Sequence, residues 1–99
     1  RPEPLRIVQE FADPPVSVQA TLEMGKEEGS LDLKISLYDR KEEEFMPGIG
    51  IELTGAGTSQ KISSDEDGKA IFRIERPGEY RLSLTAGEEV IGDISLTLV

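Results

Sequence analysis

Five consecutive oxygen-bearing side chains, Ser63 to Asp67, run into Gly68 and make the sharpest chemical candidate in the chain. Counted from Ser63, oxygen donors stand at the first, third and fifth places and glycine at the sixth, as in the first half of a calcium loop. The pattern then breaks, because the twelfth place is Ile74 where a bidentate glutamate is needed. Asp and Gly are also what a tight turn selects for backbone reasons alone. The expectation is therefore a solvated turn and no metal site.

Glu42, Glu43 and Glu44 form a second acidic run, in a segment that reads as a loop. A like-charge run of this kind is ordinarily solvated. Paired carboxylates can hydrolyse glycosides, but they need a cleft that holds sugar. The chain has no tryptophan and two tyrosines, Tyr38 and Tyr80, so carbohydrate is disfavoured as a partner. Serine nucleophiles are available, yet the sequence holds no histidine to make a triad, and no G-x-S-x-G elbow. A Ser–Lys pair stays open, with nothing marking one. The glycine-rich stretch GAGTS, residues 55–59, lacks the phosphate-loop pattern and has no helix after it. No catalytic, cofactor-binding or metal residue is assigned, and the chain is not expected to be an enzyme.

Composition points the same way. With 99 residues the chain is expected to be a single domain over 1–99. It has no cysteine, which removes disulfides, thiolate metal sites and thiol redox chemistry. The formal charge of −9 repels phosphate backbones and anionic headgroups, so nucleic acid and membrane surface are both poor partners. No apolar run approaches the ~18 residues of a membrane helix. The opening Arg1-Pro2-Glu3-Pro4, without Met or a leader, reads as a piece excised from a larger protein.

The elements that would position any site are strands, because the apolar residues recur with period two. Leu5, Ile7, Gln9 and Phe11 share a face until Asp13-Pro14-Pro15 stops the run. Val16, Val18, Ala20, Leu22 and Met24 form the next inward set, and residues 25–30 a hairpin loop. Leu31, Leu33, Ile35 and Leu37 follow, with a register that a one-residue slip would ruin. Residues 39–48 read as a polar loop in which Phe45 and Met46 fold back as a plug. Ile49, Ile51 and Leu53 begin another strand, and Ile62 lies inward on a short one.

The stretch SSDEDGKAIFRIERPGEYRLSLTA, residues 63–86, organises the rest. Asp65 to Gly68 reads as a type I turn with a left-handed glycine closing a bulged hairpin. Ala70, Phe72 and Ile74 face in, and Ile71 breaks the polar outer face at a place suited to a neighbouring domain. Pro77-Gly78 fits a type II turn. Tyr80, Leu82, Leu84 and Ala86 then face in. After a Gly87–Glu89 hairpin, Ile94, Leu96 and Leu98 complete the core, with a bulge expected at Gly92-Asp93.

Seven to eight short antiparallel strands with regularly spaced turns predict an all-β, immunoglobulin-like sandwich. Tyr80 favours it over a closed barrel. A tyrosine just after a sharp turn, two residues before a core position, hydrogen-bonds back across the corner where such chains change sheets.

DEDGKAIFRIERPGEYRLSLTAGEEVIG, residues 65–92, resembles the C-terminal half of bacterial immunoglobulin-like domains of the invasin/intimin type. The resemblance lies in a D-x-x-G-x-A-x-F turn, a Gly-x-Tyr and a strand ending in Thr-Ala. LYDRKEEEFMPGIGIELTG, residues 37–55, is similar to that family's preceding strand, loop and strand. The same elements are similar to carboxypeptidase-regulatory-like and Cna-B-type prealbumin-like domains. The likeness covers residues 31–99, with the first 30 agreeing in strand pattern only. It implies a non-catalytic module of a prokaryotic surface or secreted protein, used as a spacer or for protein binding. The chain departs from Cna-B in having no asparagine, which excludes the usual Lys–Asn isopeptide. The expected partners are neighbouring domains or another protein. The readings left beside this one are an accessory glycan- or calcium-binding module and a cytoplasmic regulatory appendage.

Overall fold

Period-two alternation is realised throughout the computed structural model, which describes residues 5–98. The Arg1–Pro4 opening and Val99 lie outside the described residues. Nine strands form among the described residues: β1 (Leu5–Ala12), β2 (Pro15–Met24), β3 (Leu31–Asp39), β4 (Glu44–Phe45), β5 (Gly50–Gly55), β6 (Thr58–Ser63), β7 (Lys69–Ile74), β8 (Gly78–Ala86) and β9 (Glu89–Leu98). The strand beyond the expected seven or eight is the two-residue β4, set in what reads as loop.

The strands make two antiparallel sheets stacked as a sandwich. The front sheet runs β1-β2-β3, and the far edge of β3 is shared by β7 and β4. The back sheet runs β6-β5-β8-β9. The shortest dimension, 21 Å, is what two sheets about 10 Å apart need once side chains cover both outer faces.

The inward side chains of both sheets build one core. Val16, Val18, Leu33, Ile35, Leu37 and Phe72 from the front meet Ile51, Leu53, Leu82, Leu84 and Leu98 from the back, all fully buried. Each such burial contributes roughly 1.5–3 kcal/mol. Tertiary context changes individual positions. Met24, at the tip of the β2–β3 hairpin, is 85 % exposed, since the sheet ends before the core reaches it. The first strand ends at Ala12, before Asp13-Pro14-Pro15 as expected, and Pro15 itself opens β2 opposite Ala12. The extra residue in β9 is Ile91, between Val90 and Gly92, rather than Gly92-Asp93. That bulge moves the inward set from Ile91 to Ile94, Leu96 and Leu98.

The two turns of the organising stretch both cross between sheets. The Asp65 carbonyl accepts the Gly68 N–H at 2.9 Å, and Gly68 has φ 73°, as a turn with a left-handed glycine requires. It does not close a hairpin, however: β6 pairs with β5 and β7 with β3. Gly78 has φ 143°, outside the ~80° of a type II turn, and already belongs to β8. The corner tyrosine is in place. The buried Tyr80 hydroxyl donates to the Arg76 carbonyl at 2.7 Å, across the passage from β7 to β8.

Candidate binding face

The front sheet turns its outer side chains into cross-strand rows, because all its pairings are antiparallel and in register. One row is Arg6, Thr21, Lys34 and Ile71; the next is Val8, Gln19, Ser36 and Lys69. A third is Glu10, Ser17, Tyr38 and Phe45. The middle of the face is therefore Thr21, Gln19, Ser17 and Ser36, with the longer Lys34 and Tyr38 beside them. Large apolar groups stand at its margins, with Val8 60 %, Ile71 54 % and Phe45 49 % exposed.

β4 supplies the aromatic margin. The edge of β3 passes from one partner to another at Leu37, whose N–H donates to the Gly68 carbonyl at 2.9 Å. The Leu37 carbonyl in turn accepts the Met46 N–H at 3.0 Å. Phe45 is thereby held opposite Tyr38, ring centroids 5.2 Å apart at 72°, an edge-to-face pair. Only the Met46 half of the expected plug packs on the core, and Phe45 lies outside on the sheet. The Met46 N–H still bonds to the β3 edge just past β4, and extended backbone sends successive side chains to opposite sides, which is why the two part.

Ser64 anchors this arrangement. Its Oγ donates to the Met46 carbonyl at 2.6 Å and accepts the Ile49 N–H at 2.9 Å. Its backbone carbonyl accepts the Gly48 N–H, and its N–H donates to the Ile49 carbonyl, each at 2.9 Å. A single buried serine thus clips the strap between β4 and β5. Sequence reading placed Ser64 in the acidic turn and missed this role, which depends on a segment 15 residues away.

At the opposite margin the Arg40 guanidinium donates to the Ser17 hydroxyl at 3.1 Å and to the Phe11 carbonyl at 2.6 Å, and lies 3.5 Å from the Glu10 carboxylate. Nearer the centre, Lys34 Nζ sits 2.7 Å from the Glu23 carboxylate. That hydrogen bond, and then the charge, hold the Lys34 pKa above its ordinary 10.5; loss of hydration opposes this, and Asp32 adds to it.

The acidic turn is occupied by its own backbone. Asp65 Oδ1 accepts the Asp67 and Lys69 N–H groups, both at 2.9 Å. Asp39 does the same for Lys41 and Glu42, at 2.9 and 3.1 Å, and leaves Glu42, Glu43 and Glu44 exposed. Among the described residues no three His, Cys, Asp or Glu side chains converge as a metal site. Ser36 and Lys69 are opposed in register, but no hydrogen bond joins their side chains among the described residues.

The outer face of the back sheet differs in kind. Its rows Lys61, Glu52, Ser83 and Asp93, then Ser59, Thr54, Arg81 and Ser95, carry no large apolar group, and the row Ser63, Gly50, Thr85 and Val90 carries one, Val90, at its edge. No family model matches this chain, and neither does any curated protein or solved structure.

Proposed function

We propose that this chain is a non-catalytic, immunoglobulin-like module of a larger prokaryotic protein, displayed at the cell surface or secreted, that docks another protein surface through the outer face of its front sheet. The observation that carries the reading is the contrast between the two faces. Three of the six exposed large apolar side chains among the described residues, Val8, Phe45 and Ile71, stand on the front face, against one, Val90, at the end of a row on the back face. Grouped apolar exposure of this kind marks interaction surfaces, whereas singly scattered residues need no explanation.

Strand order supports the immunoglobulin-like reading. The neighbours β2-β3-β7 and β5-β8-β9 follow the A-B-E and C-F-G order of such domains, with β6 added beside β5 and β1 beside β2. The Tyr80 corner adds to it. Oxidative footprinting tests the docking role, with Tyr38 and Phe45 labelled in the isolated chain and in the full-length polypeptide that carries it. Protection of both rings in the longer protein is expected. Equal labelling, with protection moved to the back sheet, would overturn the reading.

A glycan is the second reading, favoured by a hollow of about 260 Å³ where Tyr38 and Phe45 stand beside Ser17, Gln19 and Ser36. An aromatic ring face beside amide and hydroxyl groups suits a sugar ring. A glycan array answers this: binding that disappears in Tyr38→Ala would favour it over protein docking.

A further inference from the structure

We infer that the front face takes an extended acidic polypeptide segment carrying a bulky apolar side chain, recognised by Arg6 and Lys69. This rests on the docking role proposed above and names the partner's chemistry. The face holds an open groove of about 760 Å³ that reaches from Arg6 over Lys34 to Lys69 and Ile71 and ends against Phe45. The chain as a whole has 20 acidic and 11 basic residues, yet this groove is lined by three cations, Arg6, Lys34 and Lys69, against two acids, Glu23 and Asp65.

Both acids have partners, and three cations against two acids leave the groove lining with one net positive charge. Glu23 pairs with Lys34, and Asp65 Oδ1 takes two backbone N–H groups of its turn. Arg6 and Lys69 make no ion pair among the described residues. A ligand supplying carboxylates at those two points completes the surface, and an apolar side chain between them rests on Thr21, Gln19, Ser36 and the Lys34 stem, with Val8 and Ile71 on its two flanks. The acidic remainder of the molecule does not cancel this locally, since at physiological ionic strength charges are screened beyond about 8 Å.

Register sets the spacing. Arg6 and Lys69 sit on the outermost strands, three inter-strand steps apart in adjoining rows. At about 4.8 Å per step and about 6.6 Å between rows that is roughly 16 Å; an extended chain at about 3.3 Å per residue covers about 13 Å of it in four residues, and the long Arg and Lys side chains reach the rest. Residues four apart on an extended chain point to the same side. The inferred pattern is therefore acid, three residues, acid, with the apolar side chain at the middle place.

The test is an amide-resonance titration with acetyl-Gly-Ser-Glu-Ser-Phe-Ser-Glu-Ser-Gly-amide, its counterpart with both glutamates replaced by glutamine, and an oligogalacturonate. The acidic peptide is expected to shift the amides of Thr21, Lys34, Ser36 and Ile71. The glutamine peptide should bind about two- to thirty-fold more weakly, as two exposed charge pairs imply. The double variant R6Q/K69Q should show the same loss while keeping a dispersed spectrum, which separates lost recognition from unfolding. Equal binding of both peptides on this face would overturn acidic recognition and leave the docking role standing. Silence from both peptides overturns the inference, and footprinting of the full-length protein then decides the docking role separately. Oligogalacturonate binding with the peptides silent would overturn it in favour of the glycan.

Discussion

The Phe11 ring lies directly on the backbone of Gly92, where the edge strands β1 and β9 of the two sheets come together. A side chain at position 92 would overlap the ring, with Phe11 Cδ1 only 2.8 Å from where a Cβ would stand. Gly92 also has φ 156°, which a side chain disfavours. The contact closes one flank of the sandwich and explains a glycine in the middle of a strand.

Gly92→Ala is therefore expected to destabilise the fold by about 1–3 kcal/mol, the usual effect of overfilling a packed site. Urea unfolding measures it. Combining the change with Phe11→Leu should recover part of the loss, since residues in contact do not behave additively. An unchanged midpoint for Gly92→Ala would refute the close approach.

Tyr80→Phe removes the hydroxyl that reaches the Arg76 carbonyl and keeps the ring packed. The expected loss is about 1 kcal/mol, the net worth of one hydrogen bond. Thermal unfolding of the pair of proteins reads it directly. A variant as stable as the parent would mean that the corner is held by packing alone.

Ser64→Ala should cost more, about 1–3 kcal/mol, because it leaves the Ile49 N–H buried without its acceptor. It also frees the Met46 carbonyl, and so loosens the strap that holds Phe45 beside Tyr38. Ring-current shifts of the Tyr38 protons report on that second effect. Shifts that stay put while stability falls would separate the clip from the face.

The Lys34–Glu23 pair gives a pH dependence with a definite sign. The folded pKa of Lys34 lies above its ordinary 10.5, so the pair's contribution is fully present below that value and is lost as pH rises through the folded pKa. Glu23→Gln should bring the Lys34 titration, followed by its side-chain carbon resonances, back towards 10.5. Both side chains are half exposed, so the unfolding midpoint near neutral pH is expected to move little. A Lys34 titration that ignores the substitution would place the cause elsewhere.

Much of this architecture is legible in the residues themselves. Alternation alone identifies Leu33, Ile35, Leu37, Ile51, Leu53, Phe72, Leu82 and Leu84 as core, because a strand sends every second side chain to the same side. Tyr80 and Gly68 announce their conformations through local chemistry, a corner hydroxyl and a left-handed turn. Tyr38 and Ile71 are visible as polar-face exceptions. The face they belong to is not, since it exists only once Arg6, Thr21, Lys34 and Ile71 stand side by side on four strands.

Period two decides which way a side chain points and leaves open which strand lies next to it. Pairing β6 with β5 and β7 with β3 turns an apparent hairpin at Asp65–Gly68 into a crossing between sheets. The same long-range choice lets Gly68 and Met46 divide the edge of β3, brings Ser64 to the strap before β5, and seats Phe11 on Gly92. Apart from the β5–β6 hairpin, these contacts join residues nine or more apart in sequence. The chain by itself determined its strands, its turns and its inward faces, all set by local sterics and hydrophobic pattern. Neighbour, crossing and outer surface were decided by tertiary structure, where the two sheets had to bury those faces together.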